Sequence, residues 1–435
     1  MAGRRKKVRF VLVAAIALLG AATAAFAAGG TFLEPDVHVV RQFDGEGSQS
    51  FGWAVSPVAA PGHRHRLNAL VSEAFNGPNL DRGSAFLYSS RTGELIRRWD
   101  GSAGDWFAFS VADAGDVDGD RANDILLGAP AADAAHGPGY LDLVSGRTGR
   151  VLHRFVGEED GDAFGWAAAS AGDVDGDRRP DILIGASAYH THGNEGRAYI
   201  YSGRTYELLR TLEGDAVGDE FGSGVGWTED VNGDRVPDQI VGAREALAPD
   251  GRPRGKVYVY SGRTGERLYT IAPSALGVQF GSFFVAGIGD VNRDRTPDIY
   301  VGDYSDRTNG VEAGRAAVFS GRDGSELHAW LGEEGEGLGP GRGAGDVNHD
   351  GRQDVIVGSY MSSAGAPQAG KVEIFSGADA SLLRTITSTT AGENLGFDAV
   401  GLGDVTRDGV PDALLAAATG DHVYIVAGVR HGNDD

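Results

Sequence analysis

The chain has 435 residues, a formal net charge of −22, 69 glycines and no cysteine. The strong negative charge argues against nucleic acid and anionic membrane surfaces as partners. The lack of cysteine excludes disulfides and disfavours a zinc site.

The first predicted element is an N-terminal signal peptide. Basic residues at 4–7 and 9 precede an apolar run over residues 10–28, and Ala25-Phe26-Ala27 offers a cleavage site with small residues. We therefore expect residues 1–27 to be removed and the mature protein to span residues 28–435. The expected location is secreted or extracytoplasmic, in the periplasm or at the cell surface, without membrane insertion after cleavage. The alternative is an uncleaved anchor, because the run approaches membrane-spanning length.

A nine-residue acidic loop then recurs six times, with oxygen-bearing side chains at its positions 1, 3, 5 and 9. Calcium takes six to eight oxygen ligands, and alternating oxygens on a tight turn can converge on one such ion. Position 7 is expected to add its backbone carbonyl. The predicted calcium ligands are Asp116, Asp118, Asp120, Ala122 and Asp124; Asp173, Asp175, Asp177, Arg179 and Asp181; Asp230, Asn232, Asp234, Val236 and Asp238; Asp290, Asn292, Asp294, Thr296 and Asp298; Asp346, Asn348, Asp350, Arg352 and Asp354; and Asp404, Thr406, Asp408, Val410 and Asp412.

Two other kinds of loop have a similar acidic composition. An EF-hand needs a bidentate Glu at position 12, where every loop has Leu, Ile or Val. An Asp- and Gly-rich turn that binds no metal remains the alternative. We expect up to six structural Ca²⁺ ions. Binding should be tightest at the loops beginning at Asp116 and Asp173, which have four Asp each. It should be weakest at those beginning at Asp290 and Asp404.

The loops begin every 56 to 60 residues, and each unit contains four short strand-like segments. This period predicts an all-β fold, a seven-bladed β-propeller of four-stranded blades. Blades are expected to begin near residues 51, 107, 164, 221, 280, 338 and 395, the first having a loop without acids at residues 61–66 and no calcium. The last unit lacks a fourth strand, which residues 37–43 are expected to supply, so that the N-terminal strand closes the ring.

Three motifs recur in order in these units. A Phe-Gly opening such as Phe164-Gly165, the acidic loop and Gly128-Ala129-Pro130 together resemble the FG-GAP repeat, which builds the N-terminal seven-bladed propeller of integrin alpha subunits. Leu338-Gly339 and Leu395-Gly396 replace Phe-Gly in the last two units. The resemblance implies calcium loops on one face, in blades 4 to 7 of integrins and in blades 2 to 7 here. It also implies an adhesion or recognition module for a surface protein or glycan.

The opposite face is expected to carry variable loops at residues 187–192, 244–254, 303–306 and 359–361. Their Tyr189, Tyr304 and Tyr360 either surround the channel mouth or pack on neighbouring blades. His190 and His192 are a weak candidate pair for catalysis or metal binding. The alternative function is a propeller-scaffold enzyme, such as a polysaccharide lyase, using Arg244, Arg252 and Arg254. Because the chain has no recognisable catalytic signature, no catalytic residue is assigned and a binding module is favoured.

Overall fold

The computed structural model describes residues 31–60, 63–77, 79, 81–130, 137–188 and 195–429, without the side chains of residues 63–66. The predicted signal peptide and its cleavage site lie outside the described residues, as do Tyr189, His190 and His192. Within this part of the chain, no helix is long and apolar enough to cross a membrane.

Seven antiparallel sheets of four strands each form a ring, which confirms the predicted seven-bladed β-propeller. Strand β1 (Val39–Asp44) belongs to the last blade. Blades 1 to 3 contain β2 (Phe51–Ala60), β3 (His63–Glu73), β4 (Ser84–Tyr88) and β5 (Leu95–Asp100); β6 (Ser110–Gly115), β7 (Asp124–Ala129), β8 (Tyr140–Val144) and β9 (Val151–Val156); and β10 (Phe164–Gly172), β11 (Asp181–Ala186), β12 (Arg197–Tyr201) and β13 (Leu208–Glu213).

Blades 4 to 6 follow the same order, and blade 7 takes its outer strand from the start of the chain. They contain β14 (Phe221–Thr228), β15 (Asp238–Ala243), β16 (Lys256–Tyr260) and β17 (Arg267–Ile271); β18 (Val285–Gly289), β19 (Asp298–Asp303), β20 (Arg315–Phe319) and β21 (Glu326–Leu331); β22 (Leu338–Gly345), β23 (Asp354–Ser359), β24 (Lys371–Phe375) and β25 (Leu382–Thr387); and β26 (Leu395–Gly403), β27 (Asp412–Ala417) and β28 (His422–Val426), with a 3-10 turn at Ala418–Gly420.

The core lies between the blades. Each second strand from β7 to β27 is buried at all six positions, because both of its faces pack against neighbouring blades. Because both faces of such a strand are covered, its sequence has a continuous apolar run, such as Ile182-Leu183-Ile184, instead of alternating apolar and polar residues. Outer strands such as β13 face solvent on one side and do alternate in part.

The opening Phe of a blade fastens it to the blade before. Phe221 forms a parallel β-bridge with Gly196, which has φ +80°. A Cβ on Gly196 would lie 2.3 Å from the Phe221 carbonyl oxygen, so only glycine allows this approach. Equivalent bridges join Gly139 to Phe164 and Gly255 to Phe280.

The ring closes where the sequence predicts it. Strand β1 pairs antiparallel with β28, so the edge of the last blade is covered. The residues before β1 continue onto blade 6, where the Glu34 carboxylate accepts hydrogen bonds from the Thr387 amide at 2.7 Å and hydroxyl at 2.8 Å. Phe32 packs edge-on against Tyr424, with ring centroids 5.5 Å apart. The start of the described chain therefore joins the last two blades.

Candidate metal centres and central channel

The acidic loops and the turns before the fourth strands share one face of the propeller. The Gly203 amide of such a turn donates to Asp181 Oδ1 at 2.9 Å, and the Gly146 amide donates to Asp124 Oδ1 at 3.1 Å. We call this the metal-loop face. The remaining connections meet on the other, variable-loop face, where the Ala188 amide donates to the Asp162 carbonyl at 2.9 Å.

Short hydrogen bonds to the backbone curl each acidic loop. In the loop of blade 3, Asp173 Oδ2 accepts from the position-6 amide of Arg178 at 2.9 Å. Asp175 Oδ1 accepts from the Asp177 amide at 3.0 Å, and Asp177 Oδ1 accepts from the Arg179 amide at 2.8 Å. The bonds from position 6 to position 1 and from position 7 to position 5 recur in all six loops. Side chains spaced by two residues are thereby directed to one side of the turn.

Two backbone positions in each loop have positive φ. Position 4 is Gly119, Gly176, Gly233, Arg293, His349 or Arg407, and position 6 is Arg121, Arg178, Arg235, Arg295, Gly351 or Gly409. Five loops place a glycine at one of the two positions, and the blade 5 loop has arginine at both, with φ of 66° and 75°. Positive φ strains a residue with a Cβ, so the blade 5 loop is the most strained.

The first three acids of two loops come together as a hard cation requires. One carboxylate oxygen from each of Asp116, Asp118 and Asp120 lies within 4.8 Å of the others, and Asp173, Asp175 and Asp177 form the same arrangement. Asp116 Oδ1 is buried without a hydrogen-bond partner in the described part of the chain. The Arg179 guanidinium of the neighbouring blade lies 3.9 Å from this oxygen. An all-oxygen donor set with an unsatisfied buried oxygen fits calcium chemistry.

The position-9 aspartate has a structural role that the sequence did not reveal. Asp181 is fully buried, and its Oδ2 accepts from the amides of Val174 at 2.8 Å and Asp175 at 3.3 Å, while Oδ1 accepts from Gly203. It thus joins its loop to the neighbouring turn. Oδ2 accepts two bonds and Oδ1 accepts one, so a lone pair on Oδ1 remains for a cation.

Burial also changes the acidity of these aspartates. Desolvation raises the pKa of Asp124 to about 7 and that of Asp181, Asp238, Asp298 and Asp354 to about 6, although backbone amides act in the opposite direction. A nearby cation would favour the charged form of all five.

The arginines of the Ser-Gly-Arg-Thr turns are a further feature that sequence reasoning missed. Arg147 Nε lies 2.9 Å from Asp120 Oδ2, Arg204 Nε lies 3.6 Å from Asp177 Oδ2, and Arg263 Nε lies 3.7 Å from Asp234 Oδ1. Each pairs with the position-5 carboxylate of its own blade. The sequence signal for these arginines was their recurrence four residues before the start of a fourth strand.

A channel with a cavity of about 680 Å³ runs along the axis. Eight aromatic side chains follow one another around it, with successive ring centroids 4.7 to 6.5 Å apart. We call this set the aromatic ring; its members are Trp53, Phe109, Trp166, Phe283, Phe284, Tyr304, Tyr360 and Phe397. The innermost strands start on the variable-loop face, so the aromatic ring lies towards that face.

The two described tyrosines of the variable loops belong to this ring. Tyr304 and Tyr360 pack edge-on against each other at 6.2 Å, and the Tyr304 hydroxyl donates to Gln279 Oε1 at 2.5 Å. Both tyrosines line the channel and also pack against side chains of neighbouring blades, so the two alternatives that the sequence left open for them apply at the same time.

Two carboxylates further along the channel wall, those of Asp398 and Asp113, are hydrogen-bonded. Asp398 accepts from the Arg342 guanidinium at 2.5 Å and from the Val55 amide at 3.0 Å. Asp113 accepts from the Asn123 side chain at 2.8 and 2.9 Å, and burial raises the pKa of its carboxyl group.

Two of the three arginines considered for a lyase are also paired. Arg244 contacts Glu220 at 2.6 Å, and its guanidinium lies 5.2 Å from the Trp166 ring centroid. Arg254 contacts Asp250 at 2.6 Å. These ion pairs disfavour a role in neutralising a uronate substrate.

Comparisons with known proteins agree with this architecture. A family model described as FG-GAP repeat matches residues 164–201 and 343–375. The chain is 30% identical over 243 residues to Integrin alpha-8 of Gallus gallus, covering 52% of this chain and 22% of that protein. It is 31% identical over 215 residues to Integrin alpha-E of Homo sapiens, covering 45% and 17%. It is 26% identical over 269 residues to Integrin alpha-V of Gallus gallus, covering 57% and 25%.

The chain therefore spans a quarter or less of the length of these relatives. Both segments that the family model matches contain an acidic loop and the buried second strand that follows it, and the first also contains the opening Phe164-Gly165. Together with the seven-bladed ring, this similarity identifies the chain as an FG-GAP repeat protein with an integrin alpha-like β-propeller.

Proposed function

We propose that the protein is a secreted, calcium-stabilised propeller that recognises a protein or glycan at the cell surface. The observation that carries this proposal is the convergence of three carboxylates in each of two repeated loops. Calcium would bind through positions 1, 3, 5, 7 and 9 of the six loops and have a structural role. An ion that binds only the folded state stabilises that state, which suits an exported chain without disulfides.

Recognition would use the variable-loop face and the aromatic ring. Aromatic side chains provide rigid contact area for proteins and sugars, and polar groups beside them provide orientation. The metal loops lie at the opposite ends of the same blades, so bound calcium would hold the blades that present the ring. The similarity to integrin alpha chains supports a recognition function over a catalytic one.

The test uses residues 28–435 on a panel of glycans and cell-surface extracts, with calcium and with EGTA. We expect capture that depends on calcium and that Phe397→Ala weakens, because Phe397 belongs to the aromatic ring. Leu382→Ala is the matched control, since Leu382 is 53% exposed on the outer edge of blade 6. Capture that is unchanged in EGTA would contradict the calcium role. Capture that Phe397→Ala and Leu382→Ala affect equally would exclude the aromatic ring as the contact.

A further inference from the structure

Blade 4 differs from the other blades where its innermost strand reaches the metal-loop face. In blades 2 to 7, the residue three positions before the acidic loop pairs with the residue that follows the loop's last aspartate. The residues at this equivalent position are Asp113, Ser170, Trp227, Gly287, Gly343 and Gly401. Trp227 of blade 4 is the one aromatic residue of this set, and it is 39% exposed although it belongs to an innermost strand.

The residue directly before the acidic loop shows the same contrast. Five blades have a glycine here with φ between 68° and 93°, directly after a register shift; these glycines are Gly115, Gly172, Gly289, Gly345 and Gly403. Blade 4 has Glu229 instead, and its first two strands pair in unbroken register from Gly224 to Thr228. Because side chains alternate between the two faces of a strand, those of Trp227 and Glu229 lie on the same side, about 7 Å apart along the chain.

Both side chains line the channel where it opens on the metal-loop face. A Cβ on Gly172 of blade 3 would lie 3.6 Å from Cε3 of Trp227, so one edge of the indole rests on blade 3. Among the described residues, no other aromatic ring and no cation contacts this indole. Trp227 stands four residues after Ser223, which lies at the level of the aromatic ring, so the two levels are up to about 13 Å apart.

The groups that remain available at this mouth attract positive charge. Glu229 is exposed and makes no hydrogen bond or ion pair within the described part of the chain. Asp113 already accepts hydrogen bonds from the Asn123 side chain at 2.8 and 2.9 Å. Arg342 is the one cation among the described residues that line the channel, and it is paired with Asp398 at 2.5 Å. An open indole face and a carboxylate without a counter-ion are therefore left.

We propose that Trp227 and Glu229 form a binding site for a small organic ammonium ion at the channel mouth on the metal-loop face. The ion would lie over the indole, with its charge beside the Glu229 carboxylate. Tryptophan attracts a cation more strongly than other aromatic side chains do, and quaternary ammonium ions are recognised in this way. This site goes beyond the proposed recognition on the variable-loop face, because it uses neither the variable loops nor the aromatic ring.

Two other kinds of ligand fit this mouth less well. An anion is disfavoured, because the described lining has three carboxylates, those of Asp113, Glu229 and Asp398, against the single guanidinium of Arg342. A calcium ion takes six to eight oxygen ligands, and an indole face offers none. An organic cation instead needs a π face and one opposite charge, which Trp227 and Glu229 supply together.

The experiment measures choline binding to residues 28–435 by ligand-observed NMR titration in the presence of calcium. The uncharged isostere 3,3-dimethylbutan-1-ol has a carbon in place of the nitrogen, so it tests the contribution of charge. We expect choline to bind about fivefold more tightly than this isostere. Trp227→Leu and Glu229→Gln should each weaken choline binding about two- to fivefold. Glu266→Gln is the matched control, because Glu266 is exposed on the metal-loop face of the same blade.

Several results would overturn the inference. One is no measurable binding of choline, and another is equal affinity for choline and its isostere, which would show that charge is not recognised. A third is an effect of Trp227→Leu and Glu229→Gln no larger than that of Glu266→Gln. If Phe397→Ala weakens choline binding more than Trp227→Leu does, the ion binds at the aromatic ring instead. The melting temperature of each variant, measured beside the titration, separates loss of the site from loss of the fold.

Discussion

Replacement of Asp181 by alanine should destabilise the propeller strongly, with or without calcium. Its carboxylate accepts hydrogen bonds from the amides of Val174, Asp175 and Gly203, at 2.8, 3.3 and 2.9 Å. Asp181 is fully buried, so alanine would leave these amide groups without an acceptor in a site closed to bulk water. The variant therefore loses the connection between the loop and the turn of blade 3.

The size of the effect follows from these three bonds. A buried donor without a partner costs about 1–3 kcal/mol, and partial entry of water reduces the sum to about 3–5 kcal/mol. That is a large share of the roughly 5–15 kcal/mol by which domains are usually stable. Asp173→Ala provides the contrast, because the amides of Gly176 and Arg178 that it leaves are exposed and should cost only about 1 kcal/mol without calcium.

Urea unfolding followed by tryptophan fluorescence, in calcium and in EGTA, measures both variants. The loss for Asp181→Ala should persist in EGTA, whereas the loss for Asp173→Ala should grow in calcium by about 2.7 kcal/mol when calcium exceeds its dissociation constant a hundredfold. Asp181→Asn keeps one acceptor and should be intermediate. If EGTA removes most of the effect of Asp181→Ala, the carboxylate acts through the metal and the hydrogen-bond argument is wrong.

Three further predictions concern the loops and the contacts between blades. Asp173→Ala should lower the calcium-dependent part of the melting temperature more than Asp404→Ala, because the blade 3 loop has four Asp; equal losses, or no calcium-dependent part, would contradict structural calcium. In urea unfolding, Gly196→Ala should lower the free energy of unfolding by about 3 kcal/mol and Gly176→Ala by about 1 kcal/mol. Both glycines have positive φ, but only a Cβ at residue 196 would collide with backbone atoms of the next blade. Equal losses of stability would show that the positive φ alone determines the effect. Arg295→Gly should raise the free energy of unfolding by about 0.5–1 kcal/mol by relieving its φ of 75°, and a decrease would refute the strain argument.

The fold could be predicted because its signals are local and repeated. An apolar run such as Ile182-Leu183-Ile184 directly after each acidic loop indicates a buried second strand, and six loops in one phase indicate six equivalent units. The seventh blade and the closing strand followed from counting strands, since the final unit had three and residues 37–43 had no other partner. The observed strand, Val39–Asp44, lies within two residues of that prediction.

The geometry of the loops was only partly predictable. In five loops a glycine at position 4 or 6 indicates positive φ at that position. The sequence does not indicate that the other of the two positions, which is occupied by a residue with a side chain, also has positive φ. The double role of Asp181 depends on the Gly203 amide, which is 22 residues away in the chain and meets it only in the folded blade. The turn arginines likewise reach their acids across the blade. Such contacts depend on tertiary placement rather than on local sequence pattern.

The aromatic ring shows where a repeat pattern stops predicting a site. Trp53, Phe109, Trp166 and Phe397 each stand two residues after the opening residue of their blade, so half of the ring had a signal in the sequence. The equivalent residue in blade 4 is Ser223. The other members come from the irregular opening of blade 5 and from connections after β19 and β23, where the spacing differs between units. A ring that encloses one ligand site needs no sevenfold symmetry, because each blade contributes whatever side chain reaches the axis. Repetition therefore predicts the scaffold and the acidic loops, whereas the proposed recognition would depend on the positions at which the repeats differ.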